Sequence, residues 1–138
     1  MNEENDDMTY IVNFVIKKYK NKNLYDLFKT EIDLSLDYEE PEHLMMVCKC
    51  IFENVIRYDN QNKYWIYYGY NNVLKNTKKN IIFILLIKTF LIKLYNDIAM
   101  NFYNDSLNTN QMTAAHNIVM KLQNINFITA LIKLIKTY

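Results

Sequence analysis

The stretch KKNIIFILLIKTFLIKLY, residues 78–95, is the least polar part of this chain, and the fold depends on it. Its uninterrupted apolar run extends only from Ile81 to Ile87, because Lys88 and Lys93 interrupt the apolar residues after it. A membrane-spanning helix needs about 18 or more nearly uncharged residues, so this segment is too short and too charged to cross a membrane. It is nevertheless apolar on almost every side, which is typical of a helix surrounded by other helices. The segment therefore predicts the central helix of a bundle, with both lysines reaching its rim.

The composition predicts one globular domain over residues 1–138. The chain is 51% hydrophobic and long enough to bury a real core. It has one Gly and one Pro, and this scarcity argues against an all-β fold and against glycine-rich phosphate loops. The formal net charge of +1 lacks the basic excess typical of nucleic-acid-binding domains, so no nucleic-acid partner is expected. The acidic start MNEENDDMTY does not resemble a signal peptide.

Helical spacing recurs on both sides of the apolar segment. Residues 8–36 indicate two helices with a break near Asn21. A third helix is predicted roughly over residues 41–58, with Pro41 in its first turn. Residues 111–138 end the chain as one bent helix or two short ones. These patterns predict six to eight helices.

One segment is ambiguous. KYWIYYGYNNVLKN, residues 63–76, comes after the loop DNQN and is rich in aromatic residues, so it fits either a strand or a helix. Gly69 counts against a helix, but the helical neighbours favour one. We therefore predict helix here and an all-α fold for the whole domain.

The candidate catalytic residues are few. The only histidines are His43, which lies beside Glu42 at a helix start, and His116, which lies on a helix face. Cys48 and Cys50 are interpreted as reduced structural thiols, since no further His or Cys nearby completes a metal site. A cysteine could in principle pair with His116 as nucleophile and base, but the spacing does not require it. Because the known catalytic and nucleotide-binding motifs are missing as well, we predict no enzyme activity, no cofactor and no metal.

Partner binding is the function that these residues favour. The chain has seven Met and twelve Tyr, and both residue types suit adaptable contact surfaces. A groove between helices can accept an amphipathic partner helix through apolar contacts at helical spacing. Most of these side chains would fill the core in any case, so composition alone does not locate a binding surface.

Three segments resemble the poxvirus Bcl-2-like family. They are NNVLKNTKKNIIFILLIKTFLIKLYND (71–97), CKCIFENVIRYDNQNKYWIYY (48–68) and the ending AAHNIVMKLQNINFITALIKLIKTY (114–138). The first resembles the junction of that family's fourth and fifth helices, the second its second helix, and the third the last helices of the branch that blocks NF-κB signalling. The resemblance implies a single Bcl-2-like helical bundle with its central apolar helix at about residues 79–96.

The resemblance also implies a function. Such a protein would be a viral inhibitor of host apoptosis that sequesters the BH3 helices of pro-apoptotic host proteins in a hydrophobic groove. Cellular members carry an NWGR motif whose Arg pairs with an acid of the bound helix, and this chain has NTKK there, so Lys78, Lys79 or Arg57 would take that role. The groove is expected to be lined by Val47, Cys50, Ile51, Val55, Arg57, Tyr64, Tyr68, Val73, Lys78, Lys79, Ile82 and Phe83.

The same resemblance implies an alternative. A Bcl-2-like inhibitor of innate immune (NF-κB) signalling would bind host adaptors or kinases through its outer faces. Either protein is expected in the host cell cytoplasm. The chain ends at LIKLIKTY without an apolar anchor, so the mitochondrial outer membrane is expected only if a tail has been removed. Homodimerisation and an unrelated helical scaffold both stay open.

Overall fold

The computed structural model describes residues 3–100 and 108–137. The domain is 70% helical and 12% strand, with one three-stranded antiparallel sheet. The all-α prediction is therefore wrong, because the chain forms a mixed α/β domain and not an all-helical bundle.

Helices come before and after a group of three strands along the chain. The α-helices of the described residues are α1 (Glu3–Lys18), α2 (Leu24–Leu27), α3 (Lys29–Tyr38), α4 (Pro41–Ile51), α5 (Ile81–Leu86), α6 (Ile92–Ala99), α7 (Thr109–Leu122) and α8 (Ile125–Thr137). The strands are β1 (Ile56–Asp59), β2 (Tyr64–Gly69) and β3 (Val73–Thr77), which lie between α4 and α5 in the chain.

The predicted helix boundaries are confirmed at two places and wrong at a third. Asn21 takes a left-handed conformation after α1, which confirms the predicted break. Pro41 is the first residue of α4, as expected from its fixed φ. The predicted helix over residues 41–58 ends earlier, at Ile51, because Asn54 adopts a φ of 65° and the chain turns into β1.

The sheet occupies the segment whose secondary structure was ambiguous. Its strand order is β1-β2-β3, and both pairs are antiparallel. In β2 the side chains of Trp65 and Tyr67 are buried, while Tyr68 is 48% exposed. The outward positions of β2 are aromatic or aliphatic as well, so the usual alternation of apolar and polar residues is missing. The prediction of helix over residues 63–76 failed for that reason.

Asparagine takes the turn positions for which glycine is usually used. Asn71 and Asn72, between β2 and β3, have φ values of 60° and 59°. Lys63, between β1 and β2, has a φ of 60°. Asn tolerates the left-handed region better than most residues because its short side chain can bond to the local backbone. The scarcity of glycine therefore did not exclude a sheet.

The apolar segment of residues 78–95 forms a helix, as predicted. It runs through α5, a π-helical turn at Ile87–Leu91 and α6 without interruption. Lys88 and Lys93 are both exposed, in agreement with the expectation that they reach the rim. One side of α5 packs on the sheet, since Phe83 stacks on Trp65 of β2, so the helix is not enclosed by helices alone.

The hydrophobic core joins the helices to the inner face of the sheet. Its side chains come from nearly every long helix, and α4 packs against α3 and α8 while α6 packs against α7. Fully buried members include Ile11, Ile32, Leu44, Ile51, Leu86, Leu91, Ile98, Ala115, Ile118, Leu122 and Leu131. Each buried aliphatic side chain of the Leu or Ile size stabilises the fold by about 1.5–3 kcal/mol.

Two short helices end the described chain, which was one of the two forms predicted. α7 and α8 meet at an angle of 93°. In the described ranges no single helix is long and apolar enough to cross a membrane, and α7 and α8 meet that criterion only as this bent pair.

Candidate interaction surface on the sheet

The inner face of the sheet is held by aromatic contacts. The Trp65 ring stacks on Phe83 of α5, with ring centroids 4.7 Å apart and an interplanar angle of 11°. Its indole Nε1–H donates to Asn80 Oδ1 at 3.0 Å. Lys136 of α8 lies over the rings of Tyr58 and Trp65, at 5.0 and 5.9 Å from their centroids. The sheet is thus packed on one side against α5 and α8.

A buried carboxylate joins the sheet to α1. Asp7 is only 3% exposed, and its Oδ1 accepts a hydrogen bond from the Tyr70 backbone N–H at 2.9 Å. Its Oδ2 accepts from Lys75 Nζ at 2.9 Å, and Lys75 also pairs with Glu3. The hydrogen bonds that Lys75 Nζ donates to Glu3 and Asp7 raise the pKa of Lys75. The β2–β3 turn and strand β3 are therefore both fixed to α1.

The β1–β2 turn is organised by Asp59. Its Oδ1 accepts from the backbone N–H groups of Gln61 and Asn62, at 2.9 and 3.1 Å. Its Oδ2 accepts from Asn62 Nδ2 at 2.9 Å. The hydrogen bond from the Asn62 side chain is the main cause that lowers the pKa of Asp59. The carboxylate oxygens are thus already engaged within their own turn.

The opposite side of the sheet faces solvent and carries four aromatic or aliphatic side chains beside three polar ones. Paired residues share a face, and the register pairs Arg57 with Ile66, Ile66 with Asn76, and Tyr68 with Leu74. Leu74 is 59% exposed. We call this surface the outer sheet face; it consists of Arg57, Asp59, Tyr64, Ile66, Tyr68, Leu74 and Asn76.

A concavity lies at one end of the outer sheet face. Its volume is about 390 Å³, and its apolar lining includes side chains from β1, β2 and β3. Asn54 and Arg57 add polar groups to the apolar lining of Val55, Ile66, Tyr68 and Leu74. Arg57 also borders a second concavity of about 190 Å³, on the side of β1 that faces Phe52 and Phe83. One arginine side chain therefore lies between two neighbouring depressions.

Several residues of the predicted groove lie in the interior. Val47 and Ile51 of α4 are 0% exposed, and Ile82 of α5 is also buried. Phe83 is buried too, where it supports Trp65. These side chains contribute to the core in this conformation and do not line an open groove.

The other predicted groove residues, apart from Val55, which is only 5% exposed, lie nearer the surface. Val55, Arg57 and Tyr68 are brought together at the 390 Å³ concavity. Tyr64 shares the outer sheet face, at the end next to the turn. Cys50 is partly exposed on α4, Val73 is exposed at the start of β3, and Lys78 and Lys79 are exposed between β3 and α5. Lys79 Nζ lies 3.7 Å from Glu4 Oε2, so it already has an acidic neighbour.

Sequence reasoning missed Ile66, Leu74 and Asn54 as members of this surface. A signal for them was present in YDNQNKY, residues 58–64, where turn-forming residues separate two runs rich in aromatic and β-branched residues. That arrangement is typical of a β-hairpin. Placing Ile66 and Leu74 on one face needs the strand register, which depends on the hairpin.

The candidate catalytic residues do not show the properties of an activated site. His43 stacks on the ring of Tyr38, with centroids 4.8 Å apart, and His116 is exposed on α7. Burial raises the pKa of the Cys48 thiol, and burial together with Glu31 and Glu53 raises that of Cys50. Raised pKa values keep both thiols protonated at neutral pH, which makes them weak nucleophiles. Across the described parts of the chain, no group of three or more His, Cys, Asp or Glu side chains could hold a metal ion.

Comparisons with protein-family models, curated proteins and solved structures found no match for this chain. The surface chemistry of the sheet is therefore the basis for assigning a function.

Proposed function

We propose that this chain is a non-catalytic protein-interaction module whose outer sheet face binds an apolar segment of a partner protein. One observation carries this function: a sheet packed against helices on one face presents aromatic and aliphatic side chains on its other face. Solvent-facing sides of antiparallel sheets are normally polar. Contiguous exposed apolar surface is typical of interaction sites. Tyr68 and Leu74, which pair across β2 and β3, are 48% and 59% exposed.

The outer sheet face is preorganised. Asp7 holds the β2–β3 turn, Asp59 organises the β1–β2 turn, and Trp65 is locked between Phe83 and Asn80. A surface that does not need to order itself loses less conformational entropy on binding. The concavity of about 390 Å³ can take one or two side chains of a partner. A short peptide is therefore expected to bind with a Kd in the micromolar range, about −8 kcal/mol.

The identity of the partner stays a prediction. Sequestration of BH3 helices from pro-apoptotic host proteins, and inhibition of NF-κB signalling through host adaptors or kinases, both rest on the resemblance to the poxvirus Bcl-2-like family. That resemblance implied an all-helical fold, which the three-stranded sheet contradicts. Binding at the outer sheet face is supported by the exposed apolar residues alone and does not depend on it.

Selection from a displayed random-peptide library, with fluorescence titration of synthetic peptides afterwards, tests this function. We expect selected peptides rich in apolar residues, with binding weakened about tenfold or more by Leu74→Ser. Ile125→Ser is the matched control, because Ile125 is 60% exposed on α8 and Leu74 is 59% exposed on the sheet. BH3 peptides titrated in parallel test the predicted partner class.

The outcomes are distinct. Loss of binding in Leu74→Ser with unchanged binding in Ile125→Ser supports an interaction module that uses the sheet. Selection of no peptide, or equal binding by both variants and the unmodified protein, rejects the outer sheet face as the site. Circular dichroism of each variant confirms that it is folded.

A further inference from the structure

We propose that the partner segment binds in an extended conformation and adds a fourth strand to the sheet along the free edge of β3. The inference rests on the proposed function, and it names the conformation and the place of the apolar segment that binds there. The strand order β1-β2-β3 leaves β3 with a neighbouring strand on one side only. In an antiparallel sheet, every second residue of an edge strand directs its backbone N–H and C=O away from the sheet.

The outward backbone groups of β3 have no partner within the described ranges 3–100 and 108–137. Residues 73–77 pair with β2 in a continuous register from Val73 to Thr77, and their backbone makes no hydrogen bond to any other part of these ranges. A row of donors and acceptors at strand spacing is complementary to the backbone of another extended chain. A helix cannot pair with this row, because its own backbone groups bond to each other.

The other edge of the sheet is less available for pairing. The Ile56 backbone N–H donates to the Phe52 carbonyl at 3.4 Å, so one backbone group of β1 is already engaged outside the sheet. Helix α8 also packs against β1, where Lys136 lies over the ring of Tyr58. We therefore assign the added strand to β3.

β3 lacks the features that usually protect an edge strand. Proteins protect such edges with proline, with bulges, or with charged side chains that prevent pairing. The sequence of residues 73–77 is VLKNT, which contains no proline, and its register with β2 has no bulge. Its one charged side chain, Lys75, lies on the inner side of the sheet, where it pairs with Asp7 and Glu3. The edge is thus open to another strand.

The side chains of β3 determine which sequence suits the added strand. Leu74 is 59% exposed on the outer sheet face, and Asn76 is exposed on the same face. Residues directly opposite each other in an antiparallel pair lie on one face, so we expect an apolar residue opposite Leu74 and an uncharged polar residue opposite Asn76. The apolar residue would extend the row formed by the Tyr68–Leu74 pair.

A second copy of this chain fits the edge less well. Antiparallel pairing of all of β3 with the same strand of a copy would place Lys75 and its carboxylate partners opposite the same group, and like charges directly opposite are destabilising. A register centred on Leu74 avoids this contact but pairs only part of the strand, because Asn72 has a φ of 59° and lies outside it. The occupant is therefore an extended segment of a different protein.

The test uses synthetic versions of the library-selected peptides in which single backbone amides are N-methylated. N-methylation removes the N–H donor and blocks strand pairing wherever that amide faces β3. We expect it to weaken binding about tenfold or more at alternate positions and to have little effect at the positions between them. Those intervening positions are the matched control, because they carry the same modification on the edge of the peptide that faces solvent.

Hydrogen exchange, measured by NMR with the peptide at saturation, places the added strand on the protein. The β3 amides that face away from β2 should exchange about tenfold more slowly or less when the peptide is bound, because they then donate to it. The β1 amides are the internal control, since they belong to the other edge of the same sheet. Their exchange should not change.

The possible results separate the added strand from the interaction module itself. Binding that Leu74→Ser abolishes, with N-methylation effects at every third or fourth position or at none, overturns the added strand and leaves the interaction module standing. Slowed exchange in β1 and not in β3 also overturns it. Selection of no peptide overturns both. A concentration-dependent dimer whose β3 amides are already protected, measured by sedimentation and hydrogen exchange, would identify a second copy as the occupant and overturn the partner strand.

Discussion

The contact between Gly69 and Asp7 gives the sharpest test of how the sheet is held to α1. A Cβ added at Gly69 would lie 2.4 Å from Asp7 Oδ1 and 2.8 Å from Asp7 Cγ. Both distances are far below van der Waals contact, so the carboxylate would have to move. The backbone at Gly69 has φ −95° and ψ −160°, which any residue adopts, so Gly69→Ala adds no backbone strain.

The magnitude depends on the interactions that the displaced carboxylate loses. Asp7 Oδ1 bonds to the Tyr70 N–H at 2.9 Å, and this oxygen is the one that the new methyl group meets. Overpacking costs about 1–3 kcal/mol, and a lost hydrogen bond to a charged group costs about 1.5–3 kcal/mol. Since the two terms overlap, we expect Gly69→Ala to lower the free energy of unfolding by about 2–3 kcal/mol. For a domain of this size the Tm should fall by roughly 6–12 °C.

A double-mutant cycle isolates the contact. Asp7→Ala removes both atoms that the new Cβ would meet, so in that background Gly69→Ala should cost less than about 0.5 kcal/mol. The free energies come from urea denaturation monitored by circular dichroism, with the wild type and the three variants in the same buffer. An equal cost of Gly69→Ala in both backgrounds would refute the steric reasoning. So would a Gly69→Ala protein as stable as the wild type.

Three further predictions concern other parts of the fold. The Tyr95 hydroxyl donates to Ser35 Oγ, which itself donates to the Ile32 carbonyl. In denaturant titrations Ser35→Ala should cost about 2 kcal/mol and Tyr95→Phe only about 1 kcal/mol, because only Ser35→Ala leaves a buried donor, the Tyr95 hydroxyl, unpaired. The reverse order would contradict this. Hydrogen bonds lower the pKa of Asp59 below its ordinary value of 3.8. The ionised carboxylate therefore stabilises the fold above pH 3.8, and this stabilisation is lost as the pH falls through the folded pKa. The difference in stability between the wild type and Asp59→Ala should shrink below pH 3.8, and a constant difference would exclude the turn contacts as its cause. Because its pKa is raised by burial, Cys50 should react with a disulfide reagent more slowly at about pH 8 than a free thiol and accelerate above about pH 9; a rate equal to that of free cysteine would contradict this.

The candidate site was only partly accessible to sequence reasoning. The pattern placed Val55, Arg57 and Tyr68 among the predicted groove residues, and the structure brings these three to one concavity. The resemblance placed these three residues on helices of a groove. It also grouped them with side chains such as Ile82, which the structure shows to be buried. A helical spacing and a strand register select different partners for the same residue. Ile66 and Leu74 could not be recognised until the register of the sheet was known.

The helices are the part of the fold that the sequence by itself determined. Spacing of apolar residues, Pro41 as a first helical residue and Asn21 as a break are local signals, and helix formation depends mainly on residues three and four apart. They located the end of α1 and the start of α4, and identified the helix that runs through α5 and α6.

The sheet was decided by tertiary structure. KYWIYYG is apolar on both sides, so its local pattern fits a helix and a strand equally well. The strand is selected because it lets Trp65 stack on Phe83 and lets the turn after β2 bond to Asp7, 63 positions earlier in the chain. Contacts at that separation are invisible to local periodicity, and they alone determine which side chains of β2 are buried and which remain on the outer sheet face.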